Sequence, residues 1–229
     1  MLWQWAKTGT TVFILDLDGT LMPSAEIDNR CYWQAVFACY EKQAELPDLR
    51  GFKDVTDSGI LNQWCLQELG RLPAWEDIAW IKQRFLELLE TASVEHLHSF
   101  TPLPGAEDWL DSVQQSSRVS VGIATGGWGH SARFKLDQSG LSRFNLPLAS
   151  SDDAVSRTDI MQIAARRTLE HEQIDGEKTC YVGDGVWDLK ASQQLNWGFV
   201  GIASGRKAEA LIDAGAKCVQ ADFNPTISS

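Results

Sequence analysis

The sequence predicts an α/β fold, in which a parallel sheet carries helices on both faces and a helical segment is inserted early in the chain. Three observations lead to this prediction. An apolar strand ending in acids occupies residues 11–16, and residues 24–100 show helical periodicity without a strand candidate. After Pro102 strands and helices alternate, and such alternation requires right-handed crossovers between parallel strands.

The first strand is too short and too rich in apolar β-formers to be a helix. It is followed by two closely spaced acids, Asp16 and Asp18. Neighbouring carboxylates repel each other and raise each other's pKa, so a cation or bulk water must compensate them. An EF-hand calcium loop is disfavoured, because it would need glycine and glutamate where Leu21 and Ile27 stand.

The helical segment contains three stretches whose apolar residues recur every three or four positions, as on one buried helix face. They run through Ile27 to Ala38, Ile60 to Leu69, and Trp75 to Leu89. Trp64, Trp75 and Trp80 stand at core-like positions, and we expect most of the tryptophans to pack inside. We expect a cap domain over residues 22–100 and a core domain formed by residues 1–21 and 101–229.

The remaining strands and helices are predicted from the alternating pattern after Pro104-Gly105. Strands are expected at residues 119–125, 146–149, 179–184, 199–203 and 218–222. Helices are expected at residues 106–115, 131–139, 159–171, 189–195 and 208–214. Gly140 and Gly215 follow two of these helices and provide helix stops.

Composition narrows the function classes. The chain has 229 residues and a formal net charge of -11, which argues against nucleic-acid and anionic-membrane partners, since both need a basic face. The five cysteines include no Cys-x-x-Cys pair, and free thiols in a reducing compartment are the simplest interpretation. The amino terminus shows no basic segment followed by a cleavage site. We expect a cytoplasmic protein, and both a monomer and a homodimer remain open.

Polar residues follow several strands at the sheet edge where open parallel sheets bind ligands. They are Asp16 and Asp18, Thr125-Gly126-Gly127, Asp184, and Arg157 in the loop before a helix. Three carboxylates call for a hard cation such as Mg²⁺. A hydroxyl, glycine amides and a guanidinium suit an anion. Together they favour phosphoryl transfer with Asp16 as the nucleophile.

Four motifs resemble those of the haloacid dehalogenase-like (HAD) superfamily. They are Asp16-Leu17-Asp18-Gly19-Thr20-Leu21, Ala124-Thr125-Gly126-Gly127, Ser156-Arg157, and Gly183-Asp184-Gly185-Val186-Trp187-Asp188. The resemblance spans about residues 11–223 and is to the phosphoglycolate phosphatase-like and β-phosphoglucomutase-like subgroup. It implies a Rossmann-like core with a helical cap inserted after the first strand.

The resemblance also implies roles for the site residues. Asp16 attacks phosphorus, and Asp18 protonates the leaving oxygen and then activates water. Mg²⁺ is held by the carboxylates of Asp16 and Asp184 and the backbone carbonyl of Asp18, while Asp188 orients metal-bound water. Thr125, with Gly126 and Gly127, binds the transferring group. One motif departs from the family: its usual lysine and proline are replaced by Arg157-Thr158, and Lys135, on a helix expected to expose it, is the alternative cation.

The resemblance favours a phosphatase acting on a small phosphorylated metabolite. Asp18 argues against a dehalogenase, and Thr20 argues against a sugar-phosphate mutase, in which an aliphatic residue tends to replace it. A phosphonate hydrolase would need a cap lysine, for which Lys53 is the candidate. A silent phosphometabolite-binding module is the alternative outside enzymes. The cap loop at residues 49–57 is the expected substrate reader, through Arg50 and Lys53.

Overall fold

The computed structural model describes residues 11–172 and 178–225. Within these residues, six parallel strands form one sheet in the order β3-β2-β1-β4-β5-β6. The strands are β1 (Thr11–Leu15), β2 (Val119–Ala124), β3 (Leu148–Ala149), β4 (Lys178–Gly183), β5 (Gly198–Ile202) and β6 (Val219–Gln220). The predicted α/β fold is confirmed, with β1 at the centre between β2 and β4.

The inserted segment contains three helices: α1 (Ala25–Cys39), α2 (Asp57–Leu69) and α3 (Trp75–Glu95). The Thr56 hydroxyl accepts a hydrogen bond from the Gly59 N–H and thereby caps the start of α2. Gly70, with φ of +68°, follows α2 in the left-handed conformation that glycine adopts without steric cost. The helices share a hydrophobic core of their own, which also receives Trp128 from the sheet domain.

The tryptophan prediction is only partly correct. Trp64 is buried as expected, but Trp75 is 75% exposed and Trp80 is 47% exposed. The buried face of α3 passes through Ile81 and Phe85, and a helix turns about 100° per residue. Trp75 and Trp80 therefore project away from that face.

Five helices of the described chain flank the sheet: α4 (Ala106–Gln114), α5 (Gly129–Gln138), α6 (Arg157–Glu172), α7 (Val186–Gln194) and α8 (Gly205–Asp213). Successive side chains of a strand point to opposite faces. In β1, Phe13 and Leu15 pack in the layer that holds α4 and α5, whereas Val12 and Ile14 pack against α6. The sheet is thus covered on both faces, as predicted, which leaves the carboxyl edge of the strands as the place for a site.

Some element boundaries differ from the predicted ones. Strand β3 has only two residues, Leu148–Ala149, and α6 begins at Arg157 itself rather than after it. The side chain of Arg157 is therefore fixed by the first turn of a helix instead of lying in a loop. None of the helices in the described ranges has the length and hydrophobicity to cross a bilayer.

Candidate active site

A pocket of about 320 Å³ lies between the carboxyl edge of the sheet and the helical segment. Its core-side lining includes Asp16, Asp18, Thr125, Gly126, Gly127, Arg157 and Asp184. Its cap-side lining includes Glu26, Asp28, Asn29, Tyr32 and Asp57. The core-side residues are those predicted from the strand ends, and the fold brings them around one cavity.

Three carboxylates meet at the base of this pocket. Oxygen atoms of Asp16, Asp184 and Asp188 lie within 4.8 Å of one another, and all three side chains are buried. Burial, followed by the charge of Asp188, raises the pKa of Asp16 well above its usual value. Burial raises the pKa of Asp184 as well, and that of Asp188 to about 6. This all-oxygen donor set fits a hard divalent cation, which would compensate the clustered charge.

Arg157 provides a fixed positive charge beside these acids. Its Nη1 lies 2.8 Å from Asp188 Oδ1, an ion pair outside hydrogen-bond geometry, and 3.5 Å from Asp16 Oδ1. Its Nη2 donates a hydrogen bond of 2.7 Å to the Val55 carbonyl, which joins the core to the cap loop. Burial alone would lower the pKa of Arg157, but the surrounding carboxylates, Asp188 foremost, raise it above its usual value. Arg157 is therefore charged at any working pH.

The Asp18 carboxylate is held by partners different from those of Asp16. Its Oδ1 accepts a hydrogen bond of 2.6 Å from the Ser24 hydroxyl, and its Oδ2 accepts one of 2.5 Å from Lys135 Nζ. Lys135 Nζ also donates to Asp28 Oδ1 at 2.6 Å. Among the residues that the structure describes, the Asp16 carboxylate has no side-chain hydrogen bond and only the ion pair with Arg157. The carboxylates of Asp16 and Asp18 therefore differ in their hydrogen-bond and ion-pair partners.

The prediction that Lys135 is a surface residue is wrong, because its side chain is 0% exposed. It stands on the face of α5 that also buries Ser131, Ala132 and Leu136. Residues three or four apart share a helix face, so the sequence places Lys135 on one face with Ser131 and Ala132 but does not show that this face is buried. A lysine on such a face needs carboxylate partners, and Asp18 and Asp28 provide them.

Thr125 and the following glycines form the wall of the pocket at the end of β2. The Thr125 hydroxyl oxygen accepts a hydrogen bond of 3.1 Å from the Gly127 N–H, so its own O–H remains available to donate. The Gly126 carbonyl accepts from the Asp57 N–H at 2.8 Å. A Cβ at Gly126 would lie 2.9 Å from the Val55 carbonyl, so only glycine permits this close approach of cap and core.

Two acids of the cap line the pocket: the buried Asp57, which belongs to the loop expected to read the substrate, and the half-buried Asp28, which was not predicted. Asp57, the first residue of α2, accepts a hydrogen bond of 2.8 Å from the Trp128 N–H, and burial raises its pKa well above the usual value. Burial, followed by the charge of Asp18, raises the pKa of Asp28 to about 6. Nothing local in the sequence distinguishes these acids from solvated ones, since contacts between cap and core bury the one and half-bury the other.

Lys207 is a further residue that the sequence analysis did not identify. Its Nζ donates a hydrogen bond of 2.6 Å to Asp184 Oδ2, while most of its side chain remains exposed. Lys207 stands in the first turn of α8, after a strand that ends at the same sheet edge. Its position shortly after β5 was the one feature of the sequence that could have placed it near the site, although a lysine at such a position is more often solvated.

Arg50 and Lys53 do not line the pocket that holds the acids. They line a neighbouring pocket of about 280 Å³, together with Lys190, and the two pockets share Arg157 and Trp187. Arg50 is exposed and paired with Asp48 at 2.5 Å. The cap cations therefore lie beside the predicted phosphoryl site and not within it.

A family model described as a haloacid dehalogenase-like hydrolase matches residues 10–196. The chain belongs to this family. The resemblance noted from the four motifs is thereby confirmed, as are the hydrolase class and the capped α/β fold. A family of this kind generally uses a divalent metal, and the buried acid cluster fits one.

Solved structures show the same fold in this family. A hydrolase from Pseudomonas syringae is 20% identical, with 94% of each chain covered and a TM-score of 0.70. CbbY from Rhodobacter sphaeroides, solved in complex with phosphate, is 17% identical, with 94% of this chain and 95% of that one covered and a TM-score of 0.70. A predicted phosphoglycolate phosphatase from Haemophilus somnus is 15% identical, with 95% of this chain and 96% of that one covered and a TM-score of 0.61. No curated protein matches the chain.

Proposed function

We propose that this HAD-like hydrolase is a Mg²⁺-dependent phosphatase that hydrolyses a small phosphorylated metabolite through an aspartyl-phosphate on Asp16. The arrangement that carries the proposal is the Asp16 carboxylate at the base of the pocket, with two further acids within 4.8 Å and Arg157 beside it. Acids alone would repel a phosphate, whereas acids with a divalent cation and a guanidinium attract it.

Asp16 suits the role of nucleophile because its carboxylate is buried and makes no side-chain hydrogen bond among the described residues. One of its oxygens attacks phosphorus while the bond from phosphorus to the leaving oxygen breaks. Protonated Asp18 gives its proton to that oxygen and becomes a carboxylate. Asp18 then removes a proton from water, the water oxygen attacks phosphorus, and the bond to Asp16 breaks to release inorganic phosphate.

The carboxylates of Asp16 and Asp184 would hold the metal, with Asp188 placed to orient it and the Asp18 backbone carbonyl as the further ligand that the resemblance implies. When bound, Mg²⁺ would neutralise the acids and offset negative charge on the transferring group. The Asp18 side chain is turned toward Ser24 and Lys135. This orientation agrees with a ligand role for its carbonyl alone.

The transferring group would be held by donors from two places, the segment after β2 and the start of α6. Thr125, Gly126, Gly127 and Arg157 all line the pocket, and the Gly127 N–H acts indirectly, because its hydrogen bond to the Thr125 oxygen leaves the Thr125 O–H to donate. Arg157 replaces the family's usual lysine in this role, because Lys135 is not among the lining residues and has both of its contacts with carboxylates. A guanidinium adds forked donors that an ammonium lacks.

The cap would select the leaving group. We propose a cap domain over residues 22–100 and a core formed by residues 1–21 and 101–229, with the main pocket between them and a location in the cytoplasm. The neighbouring pocket carries Arg50, Lys53 and Lys190 against one acid, Asp54. An anionic group on the remote part of the substrate fits this excess of positive charge.

The proposal is tested with p-nitrophenyl phosphate and purified protein. We expect turnover with Mg²⁺, none after chelation, and inhibition by excess Ca²⁺, which takes more and longer bonds. Asp16→Asn should have no measurable turnover under the same conditions, with folding checked by circular dichroism. Full turnover in chelator would contradict the metal assignment, and absence of any phosphatase activity across a phosphometabolite panel would contradict the function.

A further inference from the structure

Lys135 is a fully buried lysine whose ammonium group lies between one acid of the core and one of the cap. Its Nζ is 2.5 Å from Asp18 Oδ2 and 2.6 Å from Asp28 Oδ1, and its side chain is 0% exposed. Removing such charges from water carries a large free-energy cost before their attraction is counted, and apolar side chains of similar volume often stabilise a core better. Stability alone therefore gives a weak reason for this lysine.

Lys135 stands behind the pocket and not in its wall. Asp18 and Asp28 both line the cavity, whereas Lys135 does not. A substrate in the cavity would contact the two acids and not the ammonium. Lys135 can therefore act on the reaction only through the carboxylates that it contacts.

We propose that Lys135 is a positioning residue that fixes the Asp18 carboxylate for proton transfer and links its orientation to the cap through Asp28. This inference rests on the proposed function, in which Asp18 exchanges protons with the leaving oxygen and with water. Ser24 holds Oδ1 of Asp18 and Lys135 holds Oδ2. With both oxygens held, the carboxylate cannot rotate about its terminal torsion without breaking a hydrogen bond.

The acids around the Lys135 ammonium come from both the core and the cap. Three acids face the ammonium: Asp18 and Asp28 in direct contact, and Asp57 through its field. Asp28 belongs to α1 and Asp57 to α2, so both come from the cap. Because Asp28 shares the ammonium, displacement of the cap would leave Lys135 paired with Asp18 alone. The orientation of Asp18 and the seating of the cap are thereby connected through one side chain.

The test compares substrates that differ in their need for protonation. Lys135→Met keeps an unbranched side chain, shorter by one atom, and removes the donor. We expect its kcat to fall about 10- to 100-fold with an alkyl phosphate such as glycerol 2-phosphate, since misplacing a reacting group by about 1 Å costs up to 10²-fold. Turnover of p-nitrophenyl phosphate, whose leaving group scarcely needs a proton, should fall several-fold less. The inhibition constant of inorganic phosphate should stay within about twofold.

Lys217→Met is the matched control, because Lys217 is exposed and lies before β6, away from the carboxyl edge; we expect wild-type kinetics. If Lys135→Met fails to fold, Asp28→Asn is the second variant. We expect its ratio of alkyl phosphate turnover to aryl phosphate turnover to shift in the same direction by a smaller amount. An unchanged ratio in the folded variant would overturn the inference while wild-type phosphatase activity still supports the proposed function. Weakened phosphate binding with an unchanged ratio would place Lys135 in anion binding and also overturn it.

Discussion

The two sides of the pocket use buried charge in different ways. On the metal side, Asp16, Asp184 and Asp188 crowd together, and the nearest cation to Asp16 is 3.5 Å away. On the proton-transfer side, Asp18 and Asp28 each lie within 2.6 Å of one ammonium. Among the described residues, Arg157 lies 2.8 Å from Asp188 and Lys207 lies 2.6 Å from Asp184, so Asp16 is the acid of the first group without a close counter-ion. In the second group one ammonium contacts both carboxylates.

We propose that this difference gives two acids separated by one residue separate roles. Asp16 directly follows β1, and Asp18, two residues later, is held by Ser24 and by Lys135 of α5. In the proposed mechanism Asp16 is left to attack phosphorus and to bind metal, while the two donors would fix Asp18 for proton transfer. Environment, and not residue type, would then assign nucleophile and acid.

Replacing Arg157 tests the metal side of this comparison and should have a larger effect than replacing the cap cations or Asp28. We expect Arg157→Met to lower kcat/KM about 10²- to 10³-fold, as loss of a preorganised charge-stabilising donor does. Arg157→Lys should recover part of the activity, since charge returns without the fork that reaches both Asp188 and the Val55 carbonyl. Steady-state kinetics and phosphate inhibition constants measure this. Unchanged phosphate affinity in Arg157→Met would show that another cation binds the anion.

Replacing the cap cations tests whether the neighbouring pocket belongs to the substrate site. Arg50→Ala and Lys53→Ala should impair turnover of the natural substrate, once the panel identifies it, roughly 10-fold more than turnover of p-nitrophenyl phosphate. Remote binding energy orients the reacting centre, and a small aryl phosphate does not reach these residues. Measuring kcat/KM of each variant on both substrates tests whether the neighbouring pocket binds the substrate. Equal losses would assign the two cations to stability instead of recognition.

The titration of Asp28 tests the proton-transfer side through stability. Burial raises its pKa from 3.8 to about 6, so between these values the folded protein holds a proton that the unfolded chain has released. Its contribution to folding is therefore greatest at low pH and declines as the pH rises through about 4 to 6. Relative to Asp28→Asn, wild type should lose on the order of 1–3 kcal/mol of unfolding free energy between about pH 4 and pH 7. Urea denaturation of both proteins measures this, and a difference that does not change with pH would contradict it.

The core side of the site could be predicted from the sequence, because local patterns determine it. An apolar run ending at Asp16, glycines after a strand at residues 126–127, and Asp184 after another strand all point to the same edge of a parallel sheet. The parallel sheet and the helices on both faces follow from the same alternation, whereas the order of the strands was not predicted.

The cap side could not be predicted in the same way, because contacts between distant segments create it. Asp28 and Lys135 are 107 residues apart, and the sequence does not show that the first turn of α1 brings Asp28 to Lys135 on α5. The exposed Trp75 shows the reverse case, since its position in the helical pattern predicted burial, whereas the buried face of α3 runs through Ile81 and Phe85. Helical periodicity indicates which residues share a face but not what that face meets.

The central claim is that Asp16 forms the phosphoryl intermediate and Asp18 moves the protons. Asp18→Asn keeps the backbone at residue 18 but removes the acid-base group, a loss of about 10²- to 10⁴-fold in turnover. With p-nitrophenyl phosphate the first step should suffer less than hydrolysis of the intermediate. Rapid acid quench and peptide mass analysis of Asp18→Asn should then show one phosphoryl group accumulating on Asp16. A phosphoryl group on another residue, or turnover retained by Asp16→Asn, would contradict the account.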